Sequence, residues 1–413
     1  MIKYETFKLD NGMEVIHHKD PMTSLAVVNL LYKVGSRNEA PTQTGIAHLF
    51  EHLMFSGSKH APDFDQPLQE AGGENNAFTN TDITNYYNTL PAENMDTALW
   101  LEADRMADLS LTKHNVSVQK KVVIEEFQET CLNKPYGDSW HHVCDMSYTH
   151  YPYRWPTIGY DPSHVESVTM DDALRFYEDY YQPGNAVLSI ASPYDHDHIA
   201  NRVNHWFGDI KGKQVTVNLP EEKRLAEHFI SKQVVGQVSA QHLFLIFPMP
   251  DRLHPDYYQY DLLSDILGYG KSSRLITRII KDKGLFTSVS AYITGTMGPG
   301  LFVVEGRLLD GVSIDTARTA LWTELNALCD QIIDNTELQK VKNKAISSMK
   351  FGDVSLLNRA MNLAYYGSLG KTEMMNQEDD NYQAVTAQQL ITVANQLFRG
   401  NPHRELIYSP KRT

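Results

Sequence analysis

Apolar and polar positions divide the chain into elements before any motif is read. "YETFKL" (4–9) and "MEVIHH" (13–18) flank an Asn11-Gly12 turn, a pattern that predicts a hairpin. "LAVVNLLYKV" (25–34) predicts a longer, buried strand. At residue 45 the period changes. Ile46, Leu49, Phe50, Leu53 and Met54 fall three and four residues apart, which predicts a helix with Thr44 and Gly45 as its start signals. Helices are also predicted over 92–107, 112–131, 170–181 and 195–207, and strands near 75–80, 84–90 and 185–192. Tight hairpins interleaved with helices predict an α+β fold of largely antiparallel sheets covered by helices.

The pattern also repeats. "VTMDDALRFYEDYYQPGNAVLSIASP" begins at Val168 and "VTAQQLITVANQLFRGNPHRELIYSP" at Val385, and they align without a gap. Val168/Val385, Thr169/Thr386, Ser192/Ser409 and Pro193/Pro410 all differ by 217. An offset of about half the chain predicts two homologous domains, 1–215 and 226–413, joined by a polar linker at 216–225. On the same reading "DLLSDIL" (261–267) is the counterpart of "HLFEHLM" (48–54). The apolar positions match, while the polar ones become Asp261, Ser264 and Asp265.

Composition narrows the class. At 413 residues, 42% hydrophobic and 21% charged, the chain is globular and long enough for more than one core. No stretch approaches the roughly 20 apolar residues of a membrane span. A formal charge of −14 argues against a nucleic-acid surface and is compatible with cationic peptides as ligands. Cys131, Cys144 and Cys329 are odd in number and widely spaced, so free or buried thiols are expected rather than a disulfide frame. The first 20 residues lack a basic start followed by an apolar run. The expected location is therefore cytoplasmic, or periplasmic if a leader is removed before this numbering.

The helix at 46–54 carries the candidate chemistry. His48 and His52 are four residues apart, so both imidazoles share a face and can converge on one ion. Glu51 lies beside that face, within reach of a metal-bound water without taking a ligand position. His-x-x-Glu-His thus supplies two Zn2+ ligands and a general base in five residues. A catalytic zinc needs a third protein ligand. In "NVSVQKKVVIEEFQET" (115–130), Val116, Gln119, Val123 and Glu126 form one helical strip. Spacing alone leaves Glu125 and Glu126 both open.

Together these segments resemble the pitrilysin-type metallopeptidases, or inverzincins, in particular the branch of about 400-residue chains that includes mitochondrial processing peptidase subunits. The resemblance runs over "VGSRNE", "GIAHLFEHLMFSGS", "GGENNAFTNTDITNYY", "DTALWLEADRM" and "KKVVIEEFQE". It implies a two-repeat architecture with zinc held by His48, His52 and Glu126, and Glu51 as the catalytic base. It implies that "ENNAFTNTDITNYY" is an edge strand that accepts a peptide, with Asn76, Ala77 and Phe78 near the scissile bond. Two departures stand out. The family's additional glutamate, seven residues before the metal glutamate, is Gln119 here. The arginine and tyrosine that active members present from the second domain align with Ile280 and Thr287. The resemblance therefore implies a zinc-dependent endopeptidase subunit, the metal-bearing half of a heterodimer whose homologous, metal-free partner supplies that pair. A homodimer, or a non-catalytic assembly subunit of the same fold, is the alternative.

Overall fold

A computed structural model describes residues 1–213, 215, 216, 219, 220, 229–400 and 402–411. The chain opens with β1 (Glu5–Lys8), β2 (Glu14–Lys19) and β3 (Leu25–Tyr32). Helices α1 (Ile46–Leu53) and α2 (Asp65–Glu70) precede the hairpin β4 (Glu74–Thr79) and β5 (Thr84–Pro91). Then come α3 (Met95–Ala107), α4 (Lys113–Phe127), α5 (Ser139–Ser147), α6 (Pro162–Ser167) and α7 (Met170–Tyr180). Strand β6 (Ala186–Ser192) and α8 (His196–Phe207) follow. The later part holds β7 (Ile230–Gly236), β8 (His242–Met249), α9 (Tyr257–Gly268), β9 (Phe286–Ile293) and β10 (Gly300–Leu308). Helices α10 (Ile314–Asp330), α11 (Asn335–Gly352), α12 (Leu356–Ser368), α13 (Glu378–Ala384) and α14 (Ala387–Phe398) lead to β11 (Arg404–Pro410). This is a mixed α+β protein with two helix-covered sheets.

The two sheets share a five-strand order, to which the first adds β1 at its edge. The first runs β1-β2-β6-β3-β5-β4 and the second β7-β11-β8-β10-β9. Only β2·β6 and β7·β11 are parallel pairs; the other pairings are antiparallel. The two copies of the sequence repeat therefore take the same place in each sheet. Thr169 and Thr386 both cap their helices reciprocally, through Asp172 and Gln389. β6 and β11 then enter between a parallel and an antiparallel neighbour.

Two compact units emerge. One comprises Met1–Phe127, Trp155–Leu219 and Met349–Gln377, and the other Gln128–Arg154, Pro220–Ser348 and Glu378–Thr413. Each draws a segment from the other side of the expected 1–215 / 226–413 division. The linker expected at 216–225 lies largely outside the described residues. In the first unit, Ala26, Val28, Leu30 and Tyr32 of β3 point into the main core, while Val27 points the other way, onto Ala191 and Ala360 of α12. Burial on both faces is why β3 reads as an apolar run instead of an alternating one, interrupted only by Asn29, whose buried amide pairs with that of Asn85. In the second unit, α5 packs on β11 and β8.

The first hairpin turns differently from a two-residue Asn-Gly loop. Gly12 N donates to Leu9 O at 2.9 Å, and Leu9 N to Met13 O at 3.0 Å. Gly12 alone of these residues takes positive φ, +93°, so the turn is Leu9–Gly12 with the glycine at its last position. Cys131, Cys144 and Cys329 are buried, and none of them is in a disulfide. Among the described residues no helix is long and apolar enough to cross a membrane.

Candidate metal centre

Helix α1 divides its residues cleanly. Ile46, Ala47, Leu49, Phe50 and Leu53 are buried in the main core, and Phe50 alone contributes about 2–3 kcal/mol by leaving water. Packing of that face leaves His48, Glu51 and His52 on the other. Helix α4 lies against α1 and brings Glu126 to the same place.

The His48 and His52 Nε2 atoms are 3.4 Å apart, and Glu126 Oε2 is 3.7 Å from each. Zinc with bonds of 2.0–2.1 Å in tetrahedral array has donor–donor edges of about 3.4 Å. The three donors therefore have the spacing and the chemistry that such an ion takes. Among the described residues, His48, His52 and Glu126 form the only such trio of candidate donors. Glu125, the preceding position of α4, is exposed, and Gln119 is half-buried, its side chain making no hydrogen bond among the described residues. Burial and then the nearby His52 push the His48 imidazole down to about 4, opposed by Glu51. It is neutral at pH 7, the form that ligates.

A cleft of about 300 Å3 opens beside the trio, lined by His48, Glu51, Phe78, Thr79, Glu126, Thr157 and Ile158. No described residue donates a hydrogen bond to the Glu51 carboxyl. Among the described strands, β4 pairs with β5 alone and leaves its other edge unpaired by them. Along it Asn76 and Phe78 are exposed and Ala77 is half-buried; Phe78 reaches the cleft lining, whereas Asn76 turns its Oδ1 back onto Ala77 N at 2.8 Å.

In the second unit, α9 carries Asp261, Ser264 and Asp265 at the positions aligned with the α1 trio. Asp261 Oδ2 accepts from Tyr382 Oη at 2.5 Å, and Ser264 Oγ donates to Asp261 O at 2.8 Å. Burial pushes the Asp265 carboxyl up to about 7, aided by Asp261. These polar groups are absorbed within the unit. Ile280 is half-buried, and Thr287 is exposed on β9 with Oγ1 donating to Arg307 O at 3.2 Å. Neither side chain supplies a cationic or phenolic donor.

The sequence patterns single out neither Glu39 nor Trp155, the latter part of the aromatic loop segment "YPYRWP" (151–156), as holding α1, yet both adjoin its start. Glu39 accepts hydrogen bonds from Gly45 N, Ala47 N and Trp155 Nε1. Burial pushes its carboxyl up to about 8, and those three donors oppose the push. The only sequence signal was a charged residue inside "VGSRNE", six positions ahead of Gly45 and too far for a capping-box pattern.

Residues 14–139 match the family described as "Insulinase (Peptidase family M16)", and residues 167–345 the one described as "Peptidase M16 inactive domain". The chain is 29% identical to "Zinc protease PqqE" of Helicobacter pylori over 350 residues, 82% of this chain and 78% of that one. It is 24% identical over 314 residues to "Probable mitochondrial-processing peptidase subunit beta" of Schizosaccharomyces pombe, 73% of this chain and 68% of that one. The crystal structure of a protease from Helicobacter pylori superposes with a TM-score of 0.93 at 26% identity, over 99% of this chain and 100% of that one. With its repeated sheet topology and these likenesses, the chain belongs to the pitrilysin-type, or M16, family of metallopeptidases.

Proposed function

We propose that this chain is the zinc-bearing subunit of an endopeptidase that cleaves peptides or unfolded segments. His48, His52 and Glu126 are its metal ligands and Glu51 its general base. One observation carries the reading: three donors from two helices converge at the spacing of a tetrahedral ion, beside a carboxyl to which no described residue donates a hydrogen bond. Zinc bound there supplies a water with a pKa near 7 and a positive charge close to the scissile carbonyl. The remaining work falls to this chain's side chains and backbone. The open edge of β4 pairs with an extended peptide whatever its sequence, with Asn76, Ala77 and Phe78 alongside. Glu51 takes a proton from the attacking water and passes it to the leaving amine.

Oxyanion donors are missing at Ile280 and Thr287, so a homologous, metal-free subunit supplies an arginine and a tyrosine in a heterodimer. That the Schizosaccharomyces pombe relative is named as a subunit supports this arrangement over a homodimer. The rival is a non-catalytic assembly subunit, favoured by the "inactive domain" description over 167–345. The purified chain is expected to hold about one zinc ion, lost in His52→Ala. Its peptide cleavage is expected to be slow alone and to rise when a homologue with the arginine-tyrosine pair is added. Absence of zinc, or zinc content unchanged by His52→Ala, favours the rival.

A further inference from the structure

Helix α1 is only two turns long, and helices of that length are not held by propensity alone. Its N-cap is Gly45, at φ +89° and with no side chain to receive the first amides. The cap comes from a distance. Glu39 Oε2 accepts from Gly45 N at 3.0 Å, and Oε1 from Ala47 N at 2.9 Å. The same Oε2 accepts from Trp155 Nε1 at 2.9 Å, and that indole N–H also reaches Ser36 O at 3.1 Å. Glu39 and Trp155 are each 6% exposed, so water does not compete for these bonds.

All three partners of Glu39 are N–H donors. A carboxyl meets them with oxygen on both arms, whether ionised or not. An amide of the same shape has to turn its own N–H toward one of them. The connection to the metal ligands is short on each side. Ala47 immediately precedes His48, and Trp155 opens the segment whose Thr157 and Ile158 line the cleft. That segment also touches the helix start, because a Cβ on Gly45 would lie 2.9 Å from Ile158 O.

We propose that Glu39 is the positioning residue of the metal centre: it fixes the rotation of α1, and with it where His48 and Glu51 point, and ties the helix to the cleft wall through Trp155. This rests on the reading of His48, His52 and Glu126 as a zinc site. A merely stabilising carboxyl would affect folding without affecting the geometry of the donors, and the two roles separate in metal binding.

The test compares Glu39→Gln, Trp155→Phe and Val203→Ala, the last removing buried volume from α8. Zinc affinity is measured by chelator competition, and ligand geometry by the visible absorption spectrum of the Co2+-substituted protein. Glu39→Gln is expected to weaken zinc binding by about 10- to 100-fold and to shift the cobalt bands. Trp155→Phe is expected to weaken it by less, by about two- to fivefold, since the helix amides keep their acceptor. Val203→Ala is expected to lower the thermal midpoint and leave affinity and spectrum as in the wild type. The proposal is overturned if Glu39→Gln loses stability yet keeps wild-type affinity and cobalt bands. If Glu39→Gln does not fold, Trp155→Phe decides on the same two readouts, and wild-type values there overturn it. A wild-type chain that binds zinc no better than His52→Ala overturns the zinc-site reading itself.

Discussion

Glu126 Oε2 stands 3.7 Å from His52 Nε2, although the two side chains come from different helices. An ion between them would therefore also fasten α4 to α1. Zinc at about 100 times its dissociation constant is expected to stabilise the fold by about 2.7 kcal/mol, and a chelator to remove that gain. Thermal melts with and without zinc check it, and Glu126→Gln is expected to abolish most of the difference.

Glu51→Gln keeps the size and removes the base. Zinc content is expected to stay at the wild-type level while peptide cleavage falls by about 100- to 10,000-fold. Metal analysis and turnover on the same preparation decide; persistent turnover with zinc bound refutes the assignment of Glu51.

Gly45→Ala places a Cβ 2.8 Å from Val165 Cγ2 and 2.9 Å from Ile158 O, at a φ of +89° that alanine resists. A loss of roughly 1–3 kcal/mol in urea unfolding is expected, which is the range for a strained backbone position.

Arg105 is buried to 1% exposure between the rings of Phe64 and Tyr86, with its guanidinium on the Glu102 carboxylate at 2.5 and 2.9 Å. Arg105→Met strands that carboxylate in the core with, among the described residues, only Asn88 as a side-chain donor. A cost of about 3–5 kcal/mol is expected, measured by the same denaturant titration.

His17, on β2, is pushed down to about 4, by burial first and then by His196, His18 and Lys19, with Asp195 opposing. In the unfolded chain it titrates near 6.5. Between those values the unfolded chain binds more protons. Stability is thus full above pH 6.5 and is lost as pH falls from there through about 4, by at most about 1.4 kcal/mol per pH unit. His17→Gln is expected to flatten that slope between pH 7 and 5; an unchanged slope refutes it.

Several of these features were legible in the sequence because each is local. His48, Glu51 and His52 share a face by helix period alone, and Thr169 and Thr386 announce equivalent helix starts. Glu126 was separable from Glu125 only by the family resemblance. Adjacent positions on one turn differ in which way α4 faces, and here Glu125 is exposed whereas Glu126 is half-buried. Glu39 was silent because its hydrogen bonds cross a loop to a helix that starts well beyond it. The amphipathic pattern of α12 marks a helix, but periodicity does not say which sheet the helix will cover.

That last helix has a consequence for how the protein is made. Val27 and Ala191 wait for Ala360, which a ribosome delivers only after most of the second sheet has already emerged. A fragment ending before residue 349 would leave one side of β3 and β6 without its covering helix. The first unit can therefore be completed only late in synthesis, once residues 349–377 have left the ribosome.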